Sequence, residues 1–495
     1  MNASIERRTA RRPHHIRAAL LPLLALGIAA TPAWTAPRAR AATQRESVTI
    51  TLAGPNQWND SGTSFGKAWE DQVAAFQKAT PGVIFKTNVL PLTSFFAYEA
   101  TLLQAGSAPE LIFNQTNYKP FQVVPLTKYL MQPNPYAPGN KRWLDLFDPR
   151  AFNAKQQDTN GNWDWVPFNL FDTGLFINQT AFAKAGIRYP ITTFEEWRTD
   201  SVKLKAAGYT PLAADGSYLG VDIAFQTLAN MLLAKYFDTW NVYLSNGVKG
   251  PSNPLVLEDY VRAVKTGVDI AHLPEFSESL TLLKEMYDKD STPNWSSIKG
   301  LSGAGVNLAD FEAGKAAMAW GSDFGVSALQ AAHLTFKVGS IGFPTVTKAT
   351  TPFSQNFPAQ FGVAAGGTSY MIPATTKGAK LDYAIKFLQF MTAPRTSQAW
   401  ITATTAAPAV RGVAAPASIS GFSAGQWGVQ AKMNTNVLPG LSPQATTEFQ
   451  QIIQGYLLGS SSQSATEDQL QTSWKRAADY QIVQNPKWKS ESWAK

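Results

Sequence analysis

The stretch WDWVPFNLFDTGLFIN, residues 163–178, decides how the chain is divided. Two tryptophans spaced two apart lead into Val166-Pro167, and the Pro167 nitrogen cannot donate to a ladder. A strand must therefore leave one sheet there. The run Gly174-Leu175-Phe176-Ile177 that follows is β-rich and suited to a second sheet. Between them Asn169 and Asp172 stand among Trp165, Phe168 and Phe171. An edge strand with one wet face would tolerate those residues. A strand crossing a ligand cleft between two lobes accounts for amide, carboxylate and aromatics together.

The size of the chain agrees with two lobes. Its 495 residues exceed what one core ordinarily organises, and 44% hydrophobic with 16% charged residues describes a globular chain with ample core. Fifteen Trp suggest aromatic surfaces kept for a ligand as well as for packing. The absence of Cys excludes disulfides, thiol catalysis, Cys-ligated zinc and a lipid-modified leader cysteine.

The basic balance comes mostly from the first residues. Residues 1–41 carry seven Arg and one acid, Glu6, which leaves 36 basic against 34 acidic residues beyond them. A nucleic-acid or anionic-membrane partner is not expected from that balance. The same segment reads as a leader for general secretion. A basic stretch at 7–17 precedes an apolar run at 18–30, and Ala39-Arg40-Ala41 is the expected cleavage site. Thirteen apolar residues are too few for a membrane anchor, which needs about 20. The expectation is an exported, soluble monomer, periplasmic or extracellular and without a lipid anchor.

Beyond the leader, strands at 47–52, 83–85 and 111–113 alternate with helices at 65–78 and 95–105, an order that implies a parallel sheet with helices on both faces. Ligands of such sheets sit at the carboxyl ends of the strands. Trp58, Asn59 and Asp60 follow the first strand, and Asn114 follows the third. Further along come a capping-box start at Thr193, a strand near 209–212, an aromatic-tipped helix at 225–240 and a Gly/Pro/Asn loop at 246–255. A helix at 276–289 and a strand leading into Trp320, Ser322 and Asp323 complete this half. The glycine pair Gly366-Gly367 precedes a strand, a helix follows at 381–391, and the tail is helical.

Four segments in this order give the chain a resemblance. They are TLLQAGSAPELIF at 101–113, WVPFNLFDTGLFINQTAFAKAGI at 165–187, FEAGKAAM at 311–318, and GGTSYMIP at 366–373 with AIKFLQFMTAP at 384–394 and Pro408 to Arg411. Together they resemble the extracellular solute-binding proteins of bacterial ABC importers, in the sugar-binding branch that includes maltose-binding protein. The resemblance implies an α/β, two-lobed periplasmic-binding-protein fold, each lobe a mainly parallel sheet flanked by helices and joined by crossover strands. One lobe would be residues 42–168 and 366–407, the other 169–365 and 408–495. It implies a sugar ligand, oligosaccharide or glycoside, and ABC permease subunits as partners, with no cofactor and no catalysis. The chain departs from the family in carrying Asp323 where an aromatic is common, and in inserts around 134–153 and 355–361.

Sugars offer paired hydroxyls and apolar C–H faces. Asp60, Asp172 and Asp323 are suited to accept from hydroxyls, Asn59, Asn114 and Arg411 to donate. Trp58, Phe171, Trp240 and Trp320 supply aromatic surface, and Gly366 and Gly367 allow close backbone approach. Only His272 and His333 lie beyond the leader, so triads and His-rich metal sites are not expected. Two other classes remain open on residues alone: a glycosidase using a pair of these carboxylates, and a secreted polysaccharide-binding surface module.

Overall fold

A computed structural model of the chain describes residues 47–495 apart from 59–61, 92–93, 116–117, 150–151, 154–155, 159, 217, 242–254, 298–307, 362, 365–366, 430 and 433–439. The expected leader, Asn59, Asp60, Gly366 and most of the loop at 246–255 lie outside the described residues.

The switch expected at Pro167 is where the two sheets part. Strand β4 (Trp165–Pro167) pairs in one sheet, and after Phe168 strand β5 (Asn169–Asn178) belongs to the other. The first sheet has the order β2-β1-β3-β10-β4. Here β1 is Val48–Pro55, β2 Val83–Leu90, β3 Leu111–Phe113 and β10 Ser369–Met371. Strands β1, β2 and β3 are parallel, while β10 runs against both β3 and β4. The second sheet has the order β11-β5-β7-β6, with β8 and β9 also on β5. Strand β6 is Thr210–Ala213, β7 Ala316–Ser322, β8 Val338–Ile341, β9 Val363–Ala364 and β11 Ala407–Pro408. Only β6 and β7 are parallel there, because β5 enters from the other sheet and runs against every neighbour. Both sheets are therefore mixed rather than mainly parallel.

The chain passes between sheets at 168, between β9 and β10, and again before β11. This geometry points the strand ends at each other. In the first sheet β1, β3 and β4 finish on the side where β4 hands over to β5. In the second, Ser322 at the end of β7 pairs with Thr173 near the start of β5, so β6 and β7 also finish toward the crossing.

Each sheet carries its own aromatic core. Trp69, from the helix Lys67–Ala79, is buried against Phe85, Phe168, Tyr370, Phe387 and Trp400, and its Nε1 donates to Thr87 Oγ1 at 2.7 Å. The insert near 134–149 joins this core, with Trp143 Nε1 donating to Thr392 Oγ1 at 2.8 Å. In the second lobe Trp197 is buried on Phe343, its Nε1 bonded to Asp290 Oδ2 at 2.8 Å. Thr193 caps the helix Phe194–Ala206 in a capping box, as its sequence requires. The helix expected at 225–240 is broken instead. A π-helical turn, Tyr218–Ile223, feeds the helix Ala224–Leu232, and a separate turn, Phe237–Trp240, follows. Among the described residues no helix is long and apolar enough to cross a membrane.

Candidate ligand-binding site

The first half of the site is built at the ends of β1 and β3. Beyond Pro55, Asn56 makes a turn of its own, its Oδ1 accepting from Trp58 N at 3.1 Å and its Nδ2 donating to Ser64 O at 2.9 Å. That turn presents Trp58, whose ring meets Trp400 edge-on at 4.7 Å and Phe65 at 5.4 Å. Next to it, Asn114 leaves β3 with its N–H on Ser369 O at 3.1 Å. Thr368 Oγ1 donates to Gln57 Oε1 at 2.7 Å and ties both strand ends to the segment returning from the second lobe. Two side-chain atoms here are buried with no hydrogen-bond partner among the described residues: the Trp58 Nε1 donor and the Asn114 Oδ1 acceptor. An orphaned buried polar atom costs about 1–3 kcal/mol, which a ligand hydroxyl can offset.

Beside β3 lies an acid that reading by motif passes over. Glu99, on the helix Phe95–Ala105, is fully buried with Oε1 accepting from Phe113 N at 3.2 Å. Its Oε2 and the nearby Tyr370 hydroxyl have no partner among the described residues. Burial pushes Glu99 up to about 8, against the one N–H that holds it down, so it is a neutral acid near neutral pH. A single acid in the otherwise apolar run FFAYEATLL was the available signal.

Asp172 on the crossing strand β5 and Asp323 just after β7 are brought together as struts. Asp323 Oδ1 accepts from Asp172 N at 3.2 Å and Oδ2 from Ala407 N at 2.8 Å, so one carboxylate joins β5 to β11. Burial raises Asp323 to about 7, opposed by backbone N–H groups of Ala407, Asp172, Phe324 and Asp323 itself. The Asp172 carboxylate accepts from Ser423 Oγ. Both residues are fully buried, and both serve backbone and loop in place of an open surface. Phe171 is half-buried and stacks on Phe324 at 6.1 Å, so an aromatic does stand beside Asp323, one residue late. Gly367 is required by packing: a side chain there would overlap the Asn169 carbonyl and the Leu170 backbone.

Three expected contacts are placed elsewhere. Trp320 is fully buried with its ring stacked on Phe343 at 5.4 Å and 9°, so that face is committed to the second core. Trp240 is 5% exposed and stacks on Tyr236 at 5.6 Å within the same core. Arg411 is exposed and tied to the first lobe through one of its N–H groups, Nε donating to Phe147 O at 2.8 Å. In each case a large side chain beside a strand or helix end found an apolar or carbonyl partner that sequence spacing does not reveal.

The second lobe contributes different residues at the end of β6. Tyr287 OH donates to Asp215 O at 2.9 Å in the segment leaving that strand. Asp222 and Gln226 follow at i and i+4, on one face of the turn and helix, both buried. Asp222 Oδ1 and both amide atoms of Gln226 lack partners among the described residues. Burial pushes Asp222 up to about 7, with Gln450 holding it down. Sequence periodicity signals this stripe only as polar residues on an otherwise apolar helix.

Among the described residues no group of three or more His, Cys, Asp or Glu converges as a metal site. The fold is shared with solved sugar-binding proteins. A chitin oligosaccharide binding protein is 21% identical with a TM-score of 0.62, covering 87% of this chain and 99% of its own. The sugar-binding protein MalE from Xanthomonas citri is 14% identical with a TM-score of 0.63, covering 90% and 100%. The cyclic alpha-maltosyl-1,6-maltose binding protein from Arthrobacter globiformis is 15% identical with a TM-score of 0.59, covering 87% and 99%. No curated protein matches the sequence. Residues 59–398 match the family described as bacterial extracellular solute-binding protein, and the chain belongs to that family of non-enzymatic transport receptors.

Proposed function

We propose that this receptor captures a sugar, an oligosaccharide or glycoside, between its two lobes and delivers it to the membrane subunits of an ABC importer. The observation that carries the reading is the pair of orphaned atoms at neighbouring strand ends, the Trp58 Nε1 donor and the Asn114 Oδ1 acceptor, beside aromatic rings. A donor and an acceptor next to an apolar face is what a sugar ring demands. The names of solved proteins with this fold, for chitin oligosaccharide, raffinose and maltosyl ligands, support the class.

On this reading the first lobe supplies Trp58, Asn114 and the neighbouring Asn59 and Asp60. The second supplies Asp215, Asp222 and Gln226 from the end of β6. A ligand that touches both sets favours the closed arrangement and drives a hinge motion about the crossing strands. The protein is exported with residues 1–41 removed and works as a monomer. A thermal-shift screen of the purified protein over oligosaccharides and glycosides tests this. A ligand at 100 times its dissociation constant stabilises by about 2.7 kcal/mol. If no sugar raises the melting temperature while peptides or amino acids do, the substrate class is wrong.

A further inference from the structure

The order β2-β1-β3 places β2 and β3 on opposite sides of β1. The crevice at the carboxyl ends of β1 and β3 is therefore a topological switch point, where such sheets take their ligands. Trp58 follows one of these strands and Asn114 the other. Their ladder stops short of the crevice: Ala53 with Ile112 is its last pair, while β1 stays on β2 through Pro55. On its other edge β3 meets β10, and Asn114 N–H donates to Ser369 O there at 3.1 Å. Successive N–H groups of a strand point to opposite edges, so the Phe113 N–H faces β1, one step beyond the last ladder pair.

Glu99 meets that N–H. Its Oε1 accepts from Phe113 N at 3.2 Å, and its helix packs on β3 with the Phe95 ring 5.5 Å from the Phe113 ring. Packing alone calls for an apolar residue at this position. Phe95, Glu99 and Leu103, spaced by four, form the buried stripe of the helix. Glu99 is fully buried, and its Oε2 has no hydrogen-bond partner among the described residues, which costs stability. A local rule broken beside a ligand crevice points to function. Phe113 is also gripped from β10, where Tyr370 meets its ring edge-on at 5.8 Å. A Cβ on Gly54 would stand 3.4 Å from the Phe113 Cβ and 3.2 Å from Tyr370 Cε1, so β1 closes in as well. With the side chain held by packing, the N–H fixes the direction in which the backbone leaves for Asn114.

We propose that Glu99 is a positioning residue for the ligand crevice, fixing Asn114 and its orphaned Oδ1 through the Phe113 N–H. It acts through the backbone, and the affinity it supports is that of Asn114. Burial keeps Glu99 an uncharged acid near neutral pH. Glutamine therefore preserves its shape and an acceptor oxygen, whereas leucine keeps the packing and removes the acceptor. The two substitutions separate the hydrogen bond from the volume.

Amide hydrogen exchange on the full chain needs no ligand and reads the strand end directly. In Glu99→Leu one amide in peptides covering 111–114 should exchange about tenfold or more faster than in wild type, and Glu99→Gln should restore its protection. The affinity arm rests on the sugar reading above and uses calorimetry with maltotriose, raffinose and chitotriose as probes. For a probe that binds wild type, Glu99→Leu should bind about tenfold more weakly and Glu99→Gln within about twofold. The melting temperature of Glu99→Leu should stay close to wild type, because leucine completes the apolar stripe and deletes an orphaned oxygen. A purely structural role predicts the reverse, a lower melting temperature with affinity unchanged. If the leucine variant does not fold, Glu99→Met, with its flexible apolar chain, takes its place. Wild-type exchange in a folded leucine or methionine variant overturns the proposal. So does wild-type affinity in that variant, or a Glu99→Gln that behaves like leucine. If none of the three probes binds wild type, the sugar reading fails there, and the exchange arm still decides the role of Glu99.

Discussion

Asp323 and Ala407 are joined across the fold's waist, with Oδ2 of the carboxylate 2.8 Å from the backbone N–H. The other oxygen receives Asp172 N–H at 3.2 Å, so a single side chain following β7 pins two of the strands that link the lobes. Above about pH 7, where Asp323 ionises, hydrogen bonds to its charged oxygens are worth about 1.5–3 kcal/mol each, and leaving buried N–H groups without an acceptor costs as much again.

Asp323→Asn is therefore expected to destabilise by about 2–4 kcal/mol at pH 8, where the carboxylate is charged. The amide keeps one acceptor oxygen and turns an NH₂ toward N–H groups it cannot satisfy. Urea unfolding measures the difference. A midpoint equal to wild type, at unchanged slope, would show that the strands hold their places without this carboxylate.

The orphaned atoms at the first-lobe strand ends predict a different pattern. Trp58→Phe retains an aromatic ring and removes Nε1, and Asn114→Ala removes Oδ1. Each should weaken sugar binding by about 1–2 kcal/mol, roughly tenfold, since a ligand loses one hydrogen bond. The unliganded protein should be little changed, because an unsatisfied atom is being deleted. Calorimetric titration decides: wild-type affinity in both variants removes the basis of the proposed site.

How far the sequence reaches is visible in particular residues. Pro167 announces the change of sheet because a missing N–H is a local property, and the strand does end there. The helix Phe95–Ala105 and strand Leu111–Phe113 fall where their patterns place them. Direction of pairing is another matter: β5 runs against its neighbours because of where the chain came from, which no window of residues records. Trp240 and Trp320 illustrate the same limit in the site. A tryptophan at the end of an element looks identical in sequence whether its face meets a ligand or, as here, Tyr236 and Phe343. Asp323 was visible as a polar residue after a buried strand, but its partners lie 84 and 151 positions away.

Trp240→Ala should accordingly act on stability. Removing a buried tryptophan that touches Tyr236, Phe237 and Tyr260 leaves a cavity, at a cost of about 3–5 kcal/mol. A clear fall in the melting temperature of the unliganded protein is expected, with affinity nearly unchanged at a temperature where the variant is folded. Loss of affinity with normal stability would return Trp240 to the binding surface.

Glu99 gives the pH dependence its sign. Its folded pKa, raised to about 8 by burial, stands above the unfolded value near 4.5. Between these values the folded state holds a proton that the unfolded state has released, so stability falls as pH rises through that window. Asp222 and Asp323, each pushed up to about 7, add slopes of the same sign over roughly pH 4–7. Glu99→Gln imitates the neutral acid, keeps an oxygen for Phe113 N and cannot ionise. It should match wild type near pH 5 and exceed it by about 2 kcal/mol or more near pH 8.5, each unit of displacement being worth about 1.36 kcal/mol. Denaturant unfolding at the two pH values measures both arms. If glutamine destabilises equally at both, Glu99 makes contacts that an amide cannot reproduce, and its proton is not what sets the slope.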